Sequence, residues 1–298
     1  MNKIKHFLLD CVQTFIALIL ALFFSCFPFE KMSNLAGNLG RVIGKRFTSY
    51  RKKAHQNLRR AMPELSDKRH QEIIDGMFDN LMRTIIEYCK IYRLKIYNPE
   101  SCVEVIGIDI IDQLKDDQKP AILFLGHLAN WEIGTMAGLQ RGLKITQVYR
   151  KLNYPMLNRL INFVHRWVAQ EVVAKGPEGS RQILKALKEG RHVSILMDQK
   201  LNEGEWVPFF GMPAKTAITG ARLALKNNCP FVPVRVERIE GTRFRVTYYP
   251  PLKSSKATPQ EQLMDLLNQM NQLLETWIRD RPEQWLWIHN RWPKGYKR

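Results

Sequence analysis

Two rhythms of apolar and polar residues divide this chain near residue 100. Before it, apolar positions recur at helical spacing. After it, short apolar runs alternate with amphipathic stretches. The longest apolar run comes first: Val12 to Phe27 reads VQTFIALILALFFSCF, carries no formal charge and is ended by Pro28. Residues 31–62 read as one basic helix closed by Pro63, and Ser66 is placed to cap a second that runs to about Arg93. Ile73, Met77, Leu81, Ile85 and Tyr88 share one face of that second helix. Beyond residue 100 the pattern predicts strands at 102–106, 121–125, 145–149, 171–174, 193–197, 231–236 and 244–249. Helices are expected at 131–140, 155–168, 178–189, 216–227 and 260–279. Such alternation predicts an α/β fold, a mostly parallel central sheet flanked by helices. The chain thus divides into a hydrophobic anchoring helix over 1–30 and a body over 31–298, helical at 31–95 and α/β at 96–298.

The apolar run lies at the short end of a membrane span, which needs about 20 residues. A cleavable signal peptide would need small residues at a cleavage site, and FFSCFPF offers a poor one. An interfacial helix is the other alternative, because Asp10 and Gln13 weaken the first turns. The segment reads as membrane attachment, with spanning or interfacial placement left open. Lys3 and Lys5 precede it, whereas Lys31, Arg41, Lys45, Arg46, Arg51, Lys52 and Lys53 follow it. That asymmetry puts the body on the cytoplasmic side.

Composition narrows the partners. With 46 basic and 28 acidic residues among 298, the net charge is +18, which calls for an anionic partner. A nucleic-acid reader is disfavoured, since the basic residues form no reader motif and no aromatics are interleaved with them. The recurring pairs at 45–60 are a solvated helix face that is also well placed to meet lipid phosphates. The five cysteines show no metal-like pairing and read as reduced thiols.

The candidate chemistry begins in AILFLGHLANWE, residues 121–132. Gly126 allows a sharp turn after the strand, His127 sits in that turn, and Asn130 is placed to cap the next helix. Glu132, five residues beyond His127, can come within hydrogen-bonding reach. It would fix one imidazole tautomer and stabilise the charged ring. The motif contains no serine or cysteine nucleophile, so the histidine would act directly on a substrate hydroxyl or amine. Arg150 ends the next strand, where its fork can bind phosphate or an acyl carbonyl oxygen. Asp198 and Gln199 end a third strand on the same rim, with Asp198 able to orient substrate or pair with Arg150. VPFFGMPAKT (207–216) reads as a loop in which Phe209 and Phe210 either anchor the loop or line an acyl channel.

GHLANWE, VYR, LMDQ, PFFG, VPVR (232–235) and WLWIHNRW (285–292) occur in the order seen in the late lipid A acyltransferases. The chain resembles these lauroyl and myristoyl transferases, part of the lysophospholipid acyltransferase superfamily, over nearly its whole length. The resemblance implies a bacterial inner-membrane enzyme with its catalytic domain facing the cytoplasm. It would move an acyl group from acyl carrier protein, a co-substrate, to a hydroxyl of a Kdo-bearing lipid A precursor. It implies His127 and Glu132 as catalytic dyad, Arg150, Asp198 and Gln199 as rim residues, and Phe209, Phe210 and Gly211 as part of a substrate-binding loop. It calls for no cofactor, metal or nucleic acid. Lys200 stands where the family often has a second acid, and AQEVVAKG (169–176) matches the family only approximately. The rival reading is an acyltransferase of another glycolipid or lysophospholipid that uses acyl-CoA.

Overall fold

Residues 3–292 are described by a computed structural model, and its N-terminal part is helical throughout. Helices α1 (Lys3–Ser25), α2 (Phe29–Gly44), α3 (Thr48–Ala61) and α4 (Asp67–Glu87) follow one another, and a short 3₁₀ stretch, Tyr88–Arg93, extends α4. The single helix expected over 31–62 is two, with the break at 45–47. Close packing of α2 on α4 explains its glycines: a Cβ on Gly40 would stand 2.4 Å from the Phe78 carbonyl oxygen. Ser66 caps α4 as expected, accepting from the Arg69 amide at 3.2 Å.

The apolar runs after residue 100 become strands because alternate side chains enter cores on opposite faces. Strands β1 (Val103–Ile106), β2 (Ile122–Leu125), β3 (Ile145–Tyr149), β4 (Glu171–Ala174) and β5 (His192–Leu196) come first. A hairpin, β6 (Lys200–Phe209) and β7 (Met212–Thr216), precedes β8 (Phe231–Glu240) and β9 (Arg243–Tyr248). The main sheet has seven strands in the order β1-β9-β8-β2-β5-β3-β4, parallel except between β8 and β9. Central β2 shows the principle. Ile122 and Phe124 join one core cluster, Leu123 and Leu125 the other. Helices α5 (Ile108–Asp116), α6 (Glu132–Arg141), α7 (Pro155–His165), α8 (Pro177–Lys188), α9 (Thr219–Lys226) and α10 (Pro259–Asp280) complete the fold. A mostly parallel sheet flanked by helices is therefore what the chain forms. Helix α5 has no counterpart in the sequence reading, and the helix expected from 216 begins at Thr219 because Thr216 closes β7.

The stretch expected as a loop, 207–216, is half of the β6–β7 hairpin. Phe209 pairs with Met212, and the two residues between them, Phe210 and Gly211, have φ of 51° and 70°. That is the signature of a tight two-residue turn whose twist suits a hairpin. Phe209 and Phe210 are buried, packed against Trp285, Trp287 and Trp292 of the C-terminal segment. Buried Arg291 donates to the Lys215 carbonyl and to Thr216 Oγ1, both at 2.8 Å, tying the same segment to β7.

Helix α1 is apolar in an unusual way. Phe7, Leu8, Val12, Phe15, Ile19, Leu22 and Phe23 are exposed, while Asp10 is buried. Asp10 accepts the Met156 and Leu157 amides at 2.9 and 3.2 Å, and so caps the first turn of α7 from another helix. At its other end Phe24 is buried with Met32, Ala36 and Ile86. The boundary drawn at residue 30 is therefore crossed by packing.

Candidate active site

The parallel register of β2 and β5 builds the rim. Leu125 lies opposite Leu196, and the Met197 amide donates to the Leu125 carbonyl at 2.9 Å. Two residues further on, His127 and Asp198 meet beyond the carboxyl ends of both strands, where sites form in such sheets. His127 Nδ1 donates to Asp198 Oδ1 at 2.7 Å, and the His127 amide donates to Oδ2 at 2.9 Å. Trp285 Nε1 adds a 2.7 Å donation to Oδ2. Burial pushes the Asp198 pKa up, but His127 and these donors outweigh it and hold the carboxyl far below the ordinary range. An ionised Asp198 thus fixes the imidazole with its proton on Nδ1 and leaves Nε2 as the basic nitrogen. The Gln199 side-chain nitrogen stands 3.2 Å from that Nε2.

The turn that presents His127 is held from below. Ala129 has φ of 49°, a conformation that costs a non-glycine residue about 1–3 kcal/mol unless its surroundings enforce it. They do: its carbonyl accepts from Thr84 Oγ1 at 3.0 Å and from Asn80 at 3.3 Å, and its amide donates to the Gln284 carbonyl at 3.1 Å. At Gly126 a Cβ would stand 2.9 Å from Leu274 Cδ2, so a larger residue there would push that leucine aside. Asn130 does not cap α6 as expected. Its side-chain nitrogen donates to Glu87 Oε2 at 2.9 Å instead. Glu87 is itself buried against Arg238, at 2.6 Å; burial raises its pKa, and the guanidinium and other donors more than reverse that.

Glu132 is the main correction to the geometry expected from spacing. The imidazole takes its carboxylate from the turn just beyond β5, 71 residues away, and Glu132 faces under the rim. It accepts from Trp131 Nε1 at 3.0 Å, Gln147 Nε2 at 2.7 Å and the Tyr88 hydroxyl, with His165 Nε2 at 3.7 Å. As the first residue of α6 its side chain points back toward β3 and the 3₁₀ stretch. Burial raises the Glu132 pKa and His165 heads the interactions that bring it back below normal. Tyr88, pressed by burial and by Glu132, is held as a neutral phenol. The ring of Trp131 stands between the two groups, edge-on to His127 at 5.0 Å between centroids.

Both groups border one cavity of about 690 Å³. Its floor and sides are apolar, from Leu81 and Ile85 of α4 and Leu157, Ile161 and Val164 of α7. Ala17, Leu20 and Ala21 of α1 form part of the wall. At the polar end stand His127, Arg150, Lys175, Gln199 and His289. Arg150 is exposed at this end, and Asp198 is committed to His127 and Trp285, so the two do not form the pair that sequence allowed. Phe209, Phe210 and Gly211 are absent from this lining; Phe209 and Phe210 belong to the core beneath the C-terminal segment, and Gly211 is exposed in the turn between the strands. The buried hairpin needs its aromatics inside.

Sequence reasoning missed four residues here. Tyr88, Gln147 and His165 carry the Glu132 network, and His289 lies with its ring 6.1 Å from that of His127. Burial, then the neighbouring His127, push the His289 pKa down to about 4, so it is neutral at neutral pH. Gln147 had a legible signal, a long polar side chain among the buried positions of β3. His289 lies inside the WLWIHNRW motif, and Tyr88 and His165 had no signal. A tied imidazole whose basic nitrogen meets only the Gln199 amide, beside an apolar cavity and a cation, can deprotonate a hydroxyl that displaces that amide and shelter an acyl chain.

The family model for bacterial lipid A biosynthesis acyltransferases matches residues 2–294. A lipid A biosynthesis lauroyltransferase of Escherichia coli is 27% identical over 283 residues, covering 90% of this chain and 88% of the relative. The lipid A biosynthesis acyltransferase 2 of Shigella flexneri is 22% identical, covering 89% and 84%. A lipid A biosynthesis myristoyltransferase of Escherichia coli is 24% identical, covering 85% and 78%. The chain belongs to the bacterial lipid A biosynthesis acyltransferase family and is an acyltransferase.

Proposed function

We propose that the protein transfers a fatty acyl group from the thioester of acyl carrier protein to a hydroxyl on a Kdo-bearing lipid A precursor. The observation that carries this reading is His127 itself, its Nδ1 tied to buried Asp198 and its ring at the polar end of an apolar cavity. The acceptor hydroxyl takes the place of the Gln199 amide at Nε2. His127 Nε2 removes its proton as the oxygen attacks the thioester carbon. The carbonyl becomes an oxyanion, with Arg150 or backbone amides of the turn as donors. Its collapse breaks the C–S bond, and the departing thiolate of the carrier takes the proton back from the imidazolium. A general base of this kind contributes roughly 10²–10⁴-fold. Asp198, not Glu132, orients the ring. Glu132 shapes the cavity by holding Trp131, Gln147, Tyr88 and His165.

The reaction takes place at the cytoplasmic face of the bacterial inner membrane. α1 offers it an exposed apolar face, the most apolar 18 residues within Lys5–Ser25 having a mean hydropathy of 2.3. Exposed Lys45, Arg46 and Lys52 follow, placed to meet lipid phosphates. In contrast, Arg51 of the same stripe is spent on Asp75 at 2.5 Å.

The test uses the full-length protein in detergent with a Kdo-bearing lipid A precursor and a choice of acyl carrier protein or coenzyme A as donor. Transfer from the carrier-bound chain, with a matching mass increase in lipid A from cells expressing the protein, is expected. Transfer only from acyl-CoA, or onto a lysophospholipid and not the precursor, would overturn the proposal.

A further inference from the structure

We infer that His55, Asp67 and His70 form a binding site for a divalent transition-metal ion of the zinc class, remote from the cavity and stapling α3 to the start of α4. The three donor atoms, one from each side chain, lie within 4.8 Å of one another. His55 Nε2 is 3.2 Å from Asp67 Oδ1, and His70 Nδ1 is 3.7 Å from the same oxygen. The two imidazoles meet edge to face at 5.4 Å between centroids.

His70 gives the cluster its meaning. It is only 1% exposed, and its Nε2 sits 3.0 Å from the Met62 carbonyl oxygen. A carbonyl accepts only, so Nε2 carries the proton and donates. In the neutral ring Nδ1 must then present a lone pair. That lone pair has no hydrogen-bond partner among the described residues. It faces the carboxylate of Asp67, an arrangement that is unfavourable unless something positive lies between them. A ligating histidine has this construction: the far ring nitrogen donates to a backbone carbonyl, and the near one is aimed at the ion.

Two imidazoles and a carboxylate suit zinc and its neighbours better than calcium or magnesium, which prefer oxygen ligands. Tetrahedral zinc with ligands at about 2.0–2.1 Å places donor atoms about 3.3 Å apart. Rotation of exposed Asp67 and partly exposed His55 closes the remaining gap. The solvent side leaves a fourth position for water.

The consequence reaches the C-terminal segment through α3. Asn57, two residues from His55, donates to the carbonyls of Trp287 at 2.7 Å and His289 at 2.6 Å. An ion that fixes α3 would therefore steady the C-terminal segment that carries Trp285 and His289 to the rim.

The full-length protein in detergent, stripped with chelator and desalted, is titrated with Co²⁺ alone and then with Zn²⁺. One equivalent of Co²⁺ is expected to bind with the visible absorption of a low-coordinate nitrogen and oxygen site. Zn²⁺ should displace it, and the melting midpoint should rise on binding. X-ray absorption of the zinc form should show two imidazoles. His55→Ala and Asp67→Asn, both at partly or fully exposed positions, should each weaken binding at least tenfold with unchanged circular dichroism. The proposal fails if the wild-type protein takes up no stoichiometric ion, or if both variants bind as tightly as wild type. A zinc spectrum with fewer than two imidazoles would overturn it without any variant.

Discussion

Asp198 and Glu132 are both buried carboxylates, one behind His127 and the other in the wall of the cavity itself, and they do opposite things. Asp198 spends its oxygens on the ring and amide of His127 and on Trp285. Glu132 gathers Tyr88, Trp131 and Gln147 beneath the rim, with His165 nearby. One carboxylate serves a ring that faces the cavity, and the other serves side chains that line its wall. Proximity along the chain pointed to Glu132. Strand register chose Asp198, because parallel neighbours bring equivalent positions to one level. In a parallel sheet, the residue two past a paired position on the next strand is a closer neighbour than a residue one helical turn ahead.

The largest expected effect comes from breaking the Asp198 side of this contrast. His127→Ala should lower turnover by roughly 10²–10⁴-fold, and Asp198→Asn should approach it, because the amide supports the wrong tautomer. The double variant should be scarcely worse than His127→Ala, since groups acting as a unit are not additive. Steady-state rates of well-folded protein decide this; a His127→Ala turnover within tenfold of wild type would sink the mechanism.

Glu132→Gln sharpens the contrast from the other side. It should cost about 1–3 kcal/mol of stability through the donors left facing an amide, read as a lower denaturant midpoint. Its turnover loss should be smaller than that of Asp198→Asn. Equal losses with unchanged stability would transfer the orienting role back to Glu132.

The buried hairpin supplies a third comparison. Phe209→Ala should lose about 3–5 kcal/mol of stability with no change in preferred acyl length. Altered acyl-length preference in a stably folded variant would return Phe209 to the substrate path.

The smallest effect is a pH slope. Asp198, Glu132 and Glu87 have depressed pKa values, so the unfolded state binds more protons as pH falls below about 4. Their stabilising contribution is complete above that range and is lost on acidification. His289 and His192, both pushed down to about 4 chiefly by burial, act between about 6.5 and 4 with the same sign. Melting midpoints should therefore fall as pH drops through both windows. His289→Gln should flatten the upper one and Asp198→Asn the lower. Unchanged slopes in both variants would contradict these assignments.

Much of the fold was legible because it rests on period. All seven strands of the main sheet fall within a few residues of the runs read from the sequence; β2, buried at every position, leaves an unbroken apolar trace, and β9, buried on one face, leaves an alternating one. The β6–β7 hairpin was not, because Pro208, Pro213 and Gly211 mimic a loop where they mark a tight turn between edge strands. For the site, strand ends placed His127, Arg150, Asp198 and Gln199 on one rim. Contacts were beyond reach wherever direction mattered: Glu132 turns under the rim, and Asn130 seeks Glu87 from 43 residues away. Tyr88, His165 and His289 come from segments whose approach to the rim depends on tertiary packing alone.

Asp10 has a practical consequence for anyone preparing this protein in soluble form. Trimming the first 30 residues to remove an awkward apolar helix would also remove the oxygens that receive the Met156 and Leu157 amides. It would take away the cavity side formed by Ala17, Leu20 and Ala21 as well. A truncated preparation would then open the cavity to water along one length and fray α7. Chain-length selectivity measured on it would describe the trimmed vessel, not the one the full chain builds.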